Sequence, residues 1–450
     1  MRRERTPGMK LLLAGLVAAV LIVPLLMVYA LVYDRQEESQ RAQEQITRGW
    51  GGAQTITGPV LVIPFTDEVV EAETVDGVTT QRRRQVQREL FVSPQQQDIA
   101  TTLDPDRKGY AIYESVVYSG ALEGTARYAL TSELERLDID RADLMFDEAE
   151  LRFGISDTRG LSDGASVSAD GNALELSPGN GPLATGGAGF SAAFTGWRGE
   201  QPLDVRWSYG LRGTRSLSLV PRGGDTQWRV TSPWPHPSFT GGYLPEPSQT
   251  ETGEGGFTAV YPGITNLALG QSLLSVADQP ASEGEATQPA TIGLVEPVDL
   301  YSQVDRAVKY GFLFIGFTFA ALLMFDIVGG ARVASAEYLL NGAGLILFFV
   351  MLLAFAEVIG FGLAYLLAAA AIIALLTAYS AAVLGTWRRA AFIGAMLAGL
   401  YAVLYVLLNE ETYSLVIGSL LLFGALAGVM YATRNVDWSA VGRNGDEGAA

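Results

Sequence analysis

The chain contains a single histidine, His236, and no cysteine, so few of its side chains suit nucleophilic catalysis or metal binding. Zinc sites of the usual kinds use several Cys and His ligands, which this chain cannot supply. The sequence also contains no G-x-x-x-x-G-K-[ST] phosphate loop, no G-x-S-x-G elbow and no S-x-x-K motif. The sequence therefore predicts a protein that is not an enzyme and that binds no metal and no cofactor.

The stretch around the histidine, TSPWPHPSF (231–239), suits a structural role better than a chemical one. Its two central prolines fix the backbone φ angle and disfavour a helix. The two aromatic residues are large apolar anchors for a rigid, extended loop. We interpret the stretch as a corner that packs against its domain or docks a partner, through Trp234, Pro235, His236, Pro237 and Phe239.

Two acidic stretches offer alternative chemistry. The carboxylates between Asp138 and Glu148 could bind a divalent cation, although such a run is more often a solvated face. The stretch DPDRKGYAIYES (104–115) begins like a calcium loop, but Lys108 occupies a ligand position and Glu114 comes one residue early. We interpret the first stretch as a solvated face and the second as an Asp-Pro turn that leads into a strand.

Two apolar blocks predict membrane-spanning helices. About 20 apolar residues cross a ~30 Å hydrocarbon core, and the first block, residues 11–33, is long enough for one span. It exceeds the usual length of a signal peptide core, so we expect it to be retained, with a cleaved signal as the alternative. The second block divides at polar interruptions into five predicted spans, at residues 311–328, 338–356, 361–384, 390–408 and 414–432.

Basic residues predict the orientation of these helices. Four of them precede the first span, and Arg332, Arg388 and Arg434 follow alternate later spans, as the positive-inside rule requires of cytoplasmic segments. The predicted order is a cytoplasmic N-terminus (1–10), a first span (11–33), a periplasmic domain (34–305), a helix bundle (306–432) and a cytoplasmic tail (433–450).

The predicted periplasmic domain is acidic. Residues 34–305 include 20 basic and 39 acidic residues, a formal charge of −19 that repels nucleic acid and anionic lipid headgroups. Near its end, residues 277–290 are rich in Pro, Glu and Ala and lack periodicity. We expect these residues to form a flexible tether before the chain re-enters the membrane.

Short alternating runs predict that this domain is mainly β. Apolar and polar residues alternate in PLDVRWSYGLRG (202–213), and SLSLV (216–220) continues the pattern. TVDGVTT (74–80) and SADGNALEL (168–176) have the composition of hairpins. We expect one β domain, with two packed β subdomains as an alternative.

Three carboxylates lie within about a turn of a predicted helix end: Asp326, Glu337 and Glu357. At such positions a charged side chain can reach headgroups and water, so we expect an interfacial location for all three. A transport pathway requires a polar cavity near the middle of the membrane, and the sequence does not display one.

Several sequence blocks, in the same order from one end of the chain to the other, match a known family. They are GPVLVIPF (58–65), SLSLVP (216–221), TSPWPHPSF (231–239) with YLP (243–245), PVDLY…DRAVKYGFLF (297–314), EYLLNGAGLILFFVMLLAFAE (337–357) and TRNVDW (433–438). Through these blocks the chain resembles the CreD family of bacterial inner-membrane, cell-envelope-integrity proteins. The acidic tether and the low lysine count differ from the family pattern, but neither lies in a matching block.

The resemblance implies one N-terminal span, a large periplasmic domain, a C-terminal helix cluster and a role in envelope homeostasis, with genetic ties to a two-component sensing system and to colicin tolerance. It supplies no catalytic residues. We expect a non-enzymatic scaffold that supports envelope integrity or the stress response by binding an envelope protein or a sensor through its periplasmic domain. The expected partners include the lipid bilayer and exclude nucleic acid, and homo-oligomerisation stays open. The alternative function is that of a transporter or flippase component that uses the helix bundle.

Overall fold

The structure, a computed structural model, describes residues 7–75, 78–110, 113–162, 164–278, 289–295, 300–327, 333–409 and 414–434. It divides the chain into two compact units. The helix unit contains Met1–Gln40 and Val298–Ala450, and the β unit contains Arg41–Pro297. The first helix begins in the helix unit and ends in the β unit.

The helices of the described residues are α1 (Pro7–Trp50), α2 (Glu133–Arg136), α3 (Asn266–Leu269), α4 (Leu300–Lys309), α5 (Gly311–Ile327), α6 (Ser335–Ile359), α7 (Phe361–Leu384), α8 (Trp387–Asn409) and α9 (Ser414–Thr433). The strands are β1 (Gln54–Val75), β2 (Val78–Val92), β3 (Gln96–Tyr110), β4 (Tyr113–Tyr128), β5 (Glu150–Ile155), β6 (Ser166–Ala169), β7 (Asn172–Ala173), β8 (Leu176–Pro178), β9 (Gly189–Ala193), β10 (Leu203–Thr214), β11 (Ser216–Val220), β12 (Asp225–Ser232), β13 (Pro237–Gly241), β14 (Glu251–Gly253), β15 (Gly256–Thr265), β16 (Leu274–Ser275) and β17 (Ala290–Leu294).

The strands of the β unit form two sheets. The first has nine strands in the order β13-β17-β11-β1-β5-β9-β8, with β2 paired to β1 and β16 paired to β2. The second has eight strands in the order β14-β15-β12-β3-β4-β10-β6-β7. Parallel pairing joins β1 to β11 and β3 to β12, and the neighbours along the rest of each sheet are antiparallel.

The two sheets share one hydrophobic core within one compact unit. Phe153 of the first sheet makes an edge contact with Trp207 of the second, with ring centroids 5.9 Å apart. Phe190 of the first sheet and Tyr209 of the second make a similar edge contact, with ring centroids 5.7 Å apart. Edge-to-face ring pairs of this kind add stability beyond the apolar area that they bury.

The period-two patterns of the sequence correspond to observed strands. In β10 the alternating apolar residues are buried and their neighbours face outward, as predicted. The stretch 168–176 contains the predicted hairpin of β6 and β7, in which Asp170 and Gly171 both have positive φ angles, as a type I′ turn requires. The predicted turn at Asp76-Gly77 lies outside the described residues, and most of the predicted tether does too.

The chain enters the β unit at the end of α1. The Asp157 carboxylate accepts the Gly52 N–H at 3.0 Å, and Gln54 Nε2 donates to the backbone oxygens of Asp157 and Arg212. The Arg159 guanidinium, bonded to the same carboxylate, together with the backbone N–H groups of Gly52 and Arg159 lowers the pKa of Asp157 to about 2, although partial burial opposes the shift. Asp157 is therefore ionised at neutral pH and fixes the start of β1.

Aromatic residues hold the helix unit together. Tyr401 of α8 lies 4.6 Å from Phe314 of α5 and 4.5 Å from Phe348 of α6, measured between ring centroids. The Tyr365 hydroxyl of α7 donates to the Tyr401 backbone oxygen at 2.6 Å. One cluster therefore joins α5, α6, α7 and α8.

The helices carry large apolar side chains on surfaces that the protein does not cover. Leu12, Val23, Leu366 and Phe423 are each more than half exposed. An apolar surface of this kind is stable in contact with lipid acyl chains. The described residues include five helices that are long and apolar enough to cross a membrane: one at the N-terminus, the joined segment Leu300–Asp326, and α6, α7 and α8.

The prediction of one N-terminal span, a mainly-β domain and a C-terminal helix cluster is confirmed, but the helix count is not. The fifth predicted C-terminal span, residues 414–432, corresponds to α9. Within this 20-residue helix, the continuous apolar stretch among the described residues is Gly418–Gly428, which is shorter than a membrane span. Among the described residues, four C-terminal helices have the length and composition of spans, one fewer than predicted.

Candidate functional site

The predicted corner, Trp234 to Phe239, leads into the edge strand of the nine-stranded sheet. Trp234 Nε1 donates to the Val295 backbone oxygen at 3.0 Å, and the Arg107 guanidinium carbon lies 6.0 Å from the centre of the Trp234 ring. The Phe239 ring contacts the edge of Phe257 in the second sheet at 5.8 Å. Both aromatic residues are half-buried and pack against the common core, so they anchor the corner at two points.

The histidine of this corner is its most exposed member. The His236 backbone oxygen accepts the Val295 N–H at 3.3 Å, while its side chain is exposed and the flanking prolines are half-buried. The described residues contain no group of three or more His, Cys, Asp or Glu side chains that could hold a metal ion. The arrangement fixes the backbone of His236 and leaves its imidazole available to solvent or to a partner.

The hydrogen-bond pattern shows which backbone groups this edge offers. Val295 N–H donates to the His236 oxygen, and Gly242 N–H donates to the Pro289 oxygen, so even-numbered residues of β13 face β17. In an antiparallel pair the residues between them point their backbone groups to the other side. Phe239 and Gly241 therefore direct their N–H groups outward, where the described residues provide no further strand.

The proline at 237 limits what this edge can accept. Pro237 occupies the next outward position and has no N–H to donate, a feature typical of protected edge strands. β13 is also short, with five residues. The edge therefore offers two N–H donors at fixed positions. This limited set suits binding of a specific partner better than indiscriminate strand pairing.

Two of the acidic residues between Asp138 and Glu148 bond to other groups of the β unit. Asp140 Oδ1 accepts the Ala142 N–H at 3.0 Å, and Asp147 pairs with Arg198 at 3.0 Å. Asp147 and Arg198 are both more than half exposed, as expected of a solvated face. In the other acidic stretch, Asp104 and Pro105 lie inside β3 instead of in a turn before it, because the pairing of β3 with β4 continues through them.

The three carboxylates of the membrane helices differ in their surroundings. Glu337 accepts the Ala334 N–H at 2.7 Å and thereby caps the start of α6, and Glu357 accepts the Tyr301 hydroxyl at 3.2 Å. Asp326 lies near the end of α5, as predicted, but it does not reach the surface. Its side chain is 1% exposed and pairs with Lys10 Nζ of α1 at 2.8 Å.

Sequence reasoning missed this ion pair and three buried polar side chains on α5, α6 and α7. Lys10 is one of the four basic residues that precede the first span, and 316 positions separate it from Asp326, so no local pattern links them. Asn341 offered a signal, because it interrupts an apolar run within EYLLNGAGLILFF (337–349). A polar amide at such a position in a span needs a specific partner.

Comparisons with known proteins extend to almost the whole chain. The family model described as "Inner membrane protein CreD" matches residues 6–439. The protein described as "Inner membrane protein CreD" from Escherichia coli (strain K12) is 30% identical over 427 residues, which cover 94% of this chain and 91% of that protein.

The fold defines an integral membrane protein that combines an N-terminal span, a large β domain and a C-terminal helix cluster. With the match over nearly its full length, the chain belongs to the CreD family of inner membrane proteins. The resemblance predicted from the sequence blocks is thereby confirmed, as is a location in the inner membrane. The role of the corner from Trp234 to Phe239 stays a prediction.

Proposed function

We propose that this protein is a non-enzymatic scaffold of the inner membrane, which supports envelope integrity by binding another envelope protein through its β unit. The observation that carries the proposal is the outer edge of β13, where two outward N–H groups adjoin an anchored corner. Membership of a family of inner membrane proteins supports the location. The lack of catalytic motifs in the sequence supports a binding role.

The proposed orientation has both termini in the cytoplasm and the β unit in the periplasm. It rests on the basic residues before the first span and on Arg332, Arg388 and Arg434 in alternate later segments. It also requires α1 to be retained. Packing supports this, because Leu21 of α1 lies directly against Gly342 of α6, so that a methyl group added at Gly342 would overlap the leucine side chain.

The proposed mode of binding is addition of a strand from the partner to β13. Main-chain hydrogen bonds to Phe239 and Gly241 would supply affinity, and side chains on either side would supply specificity. Thr240, which is exposed, lies between these two donors. The anchored Trp234 and Phe239 hold the edge in one conformation, which reduces the entropy lost on binding.

Site-specific crosslinking in intact cells tests this proposal. The natural chain has no cysteine, so Thr240→Cys introduces a single thiol at the edge, and Thr102→Cys places one at an exposed threonine in an interior strand of the other sheet. We expect a reagent with one thiol-reactive and one photoreactive group to join the Thr240→Cys protein to one specific envelope protein and to leave the Thr102→Cys protein uncrosslinked. Equal yields from both variants, or no specific adduct with several reagents, would contradict the proposal.

A second candidate function, that of a transporter or flippase component, is favoured by one observation. Asp326 and Lys10 bring two ionisable groups into the helix unit, and charged residues inside membrane helices often mark substrate or ion pathways. The test is flux through reconstituted vesicles. Substrate flux that disappears in Asp326→Asn or Glu357→Gln would establish this function ahead of the scaffold.

A further inference from the structure

Three polar side chains on adjacent helices of the helix unit are completely buried. Thr318 of α5, Asn341 of α6 and Ser380 of α7 are each 0% exposed. Thr318 Oγ1, Asn341 Oδ1 and Ser380 Oγ have no hydrogen-bond partner within the described part of the chain. Buried polar atoms in proteins are almost always paired, so three unpaired ones on neighbouring helices call for an occupant.

The backbone of their own helices does not satisfy these groups. Serine and threonine in membrane helices commonly bond a carbonyl one turn earlier, as Ser419 of α9 does with the Val416 oxygen at 2.8 Å. Thr318 and Ser380 make no such bond. Asn341 uses its own helix only on one side, since its Nδ2 donates to the Glu337 oxygen at 2.8 Å and its Oδ1 accepts nothing.

Helix packing brings Asn341 and Ser380 to the same level. Gly344 of α6 lies against Leu376 of α7, so that a methyl group added at Gly344 would come within 2.8 Å of Leu376 Cδ2. Asn341 lies three residues before Gly344, and Ser380 lies four residues after Leu376. Because the two helices are antiparallel, both polar residues lie one turn beyond this contact in the same direction and on facing sides.

Thr318 of α5 lies at a height along the helix unit similar to that of Asn341. Its neighbour Phe319 contacts the ring of Tyr338, with centroids 5.2 Å apart, and Tyr338 lies one turn before Asn341 on the same face of α6. Thr318 is also one turn beyond Phe314, which packs on Phe349 of α6. Thr318 and Asn341 thus lie at a similar level where α5 packs on α6, and Asn341 and Ser380 lie at a similar level where α6 packs on α7.

We propose that Thr318, Asn341 and Ser380 form a hydrated site inside the helix unit, in which bound water bridges the three side chains. The two hydroxyl groups can donate or accept and the amide oxygen accepts, so one water molecule can bond to all three, and such a water typically makes about three hydrogen bonds. A cation is disfavoured, because the three groups are neutral and the nearby Asp326 is already paired with Lys10. This site lies outside the β unit and is independent of the proposed scaffold function.

Single cysteines in the full-length protein test the proposal, since the natural chain has none. Thr318→Cys, Asn341→Cys and Ser380→Cys are treated in membrane vesicles with a small thiosulfonate ammonium reagent, which reacts with hydrated thiols. Ala368→Cys is the matched control, because Ala368 lies on α7, is also 0% exposed and has no polar side-chain atom. We expect at least tenfold faster modification at 341 and 380 than at 368. Equal rates would show a dry site and overturn the proposal, and a rate that falls in sodium but not in choline would identify a cation in place of water.

Hydroxyl-radical footprinting of the unaltered chain removes any dependence on how the variants fold. Radicals formed from bound water label the side chains beside it, so we expect labelling of Tyr338, which adjoins the proposed site. Tyr365, equally buried but within the aromatic cluster, serves as the internal control and should stay unlabelled. Labelling of Tyr365 without Tyr338 would overturn the proposal.

Discussion

Replacing Asp326 with asparagine is expected to destabilise the helix unit by about 3–5 kcal/mol, the usual cost of removing one partner from a buried ion pair. The carboxylate is 1% exposed and lies 2.8 Å from Lys10 Nζ, which is 25% exposed. An asparagine leaves the ammonium without a counter-charge at the end of apolar helices. The measurement is resistance of the full-length protein to thermal unfolding and proteolysis in detergent.

Two further variants separate the charge effect from packing. Lys10→Met combined with Asp326→Leu replaces the pair by apolar groups of similar size, and such replacements are often neutral or stabilising. Lys309→Met removes an exposed partner from the Asp305 pair of the same unit, where the loss should stay below about 1 kcal/mol. If Asp326→Asn costs no more than Lys309→Met, the buried pair does not stabilise the unit.

Replacing Trp234 with alanine is expected to destabilise the β unit by about 2 kcal/mol. Removing a fully buried aromatic residue costs ~3–5 kcal/mol, and Trp234 is only half-buried, but its indole hydrogen bond to Val295 is lost as well. His236→Ala should change stability by less than about 0.5 kcal/mol, because the side chain is exposed. Proteolytic susceptibility of the β unit in the full-length protein measures both effects.

Detergent sensitivity of cells that carry each variant provides the functional comparison. Trp234→Ala should sensitise the cells, since it loosens the corner that positions β13, and His236→Ala should behave like the natural protein. A His236→Ala protein that is stable and inserted but fails to protect cells would contradict the structural interpretation of the histidine. It would give the imidazole a direct role.

Local periodicity predicted much of this fold. Apolar length identified α1 and the C-terminal helices, and the alternation in residues 202–213 located β10. The hairpin at Asp170-Gly171 followed from residues that tolerate positive φ angles. These features depend on residues that are close in the sequence, so they can be predicted from a single sequence without an alignment.

The strand order depends on distant residues and could not be predicted. β13 pairs with β17, about 50 residues later, and β1 lies in parallel with β11. The edge position of β13, on which the candidate site depends, is a property of this order. From the sequence alone the corner at Trp234 was recognisable as rigid, but its place at an open edge was not.

The polar interior of the helix unit was predicted least well. The distance from a helix end gave Asp326 an interfacial location, whereas burial depends on which helix lies beside it, here α1 with Lys10. Thr318 and Ser380 are ordinary residues in a membrane helix and gave no sequence signal. Their significance comes only from burial without a hydrogen-bond partner, which depends on how helices distant in the sequence pack together.

Amide hydrogen exchange at β13 is the most direct test of the central claim that a partner adds a strand to this edge. Peptides that contain Phe239 and Gly241 are compared between native membrane vesicles and the purified protein in detergent. The two amides point away from β17 and should exchange rapidly once purified, and we predict that they are protected in native membranes. Equally rapid exchange in both preparations would contradict strand addition at β13.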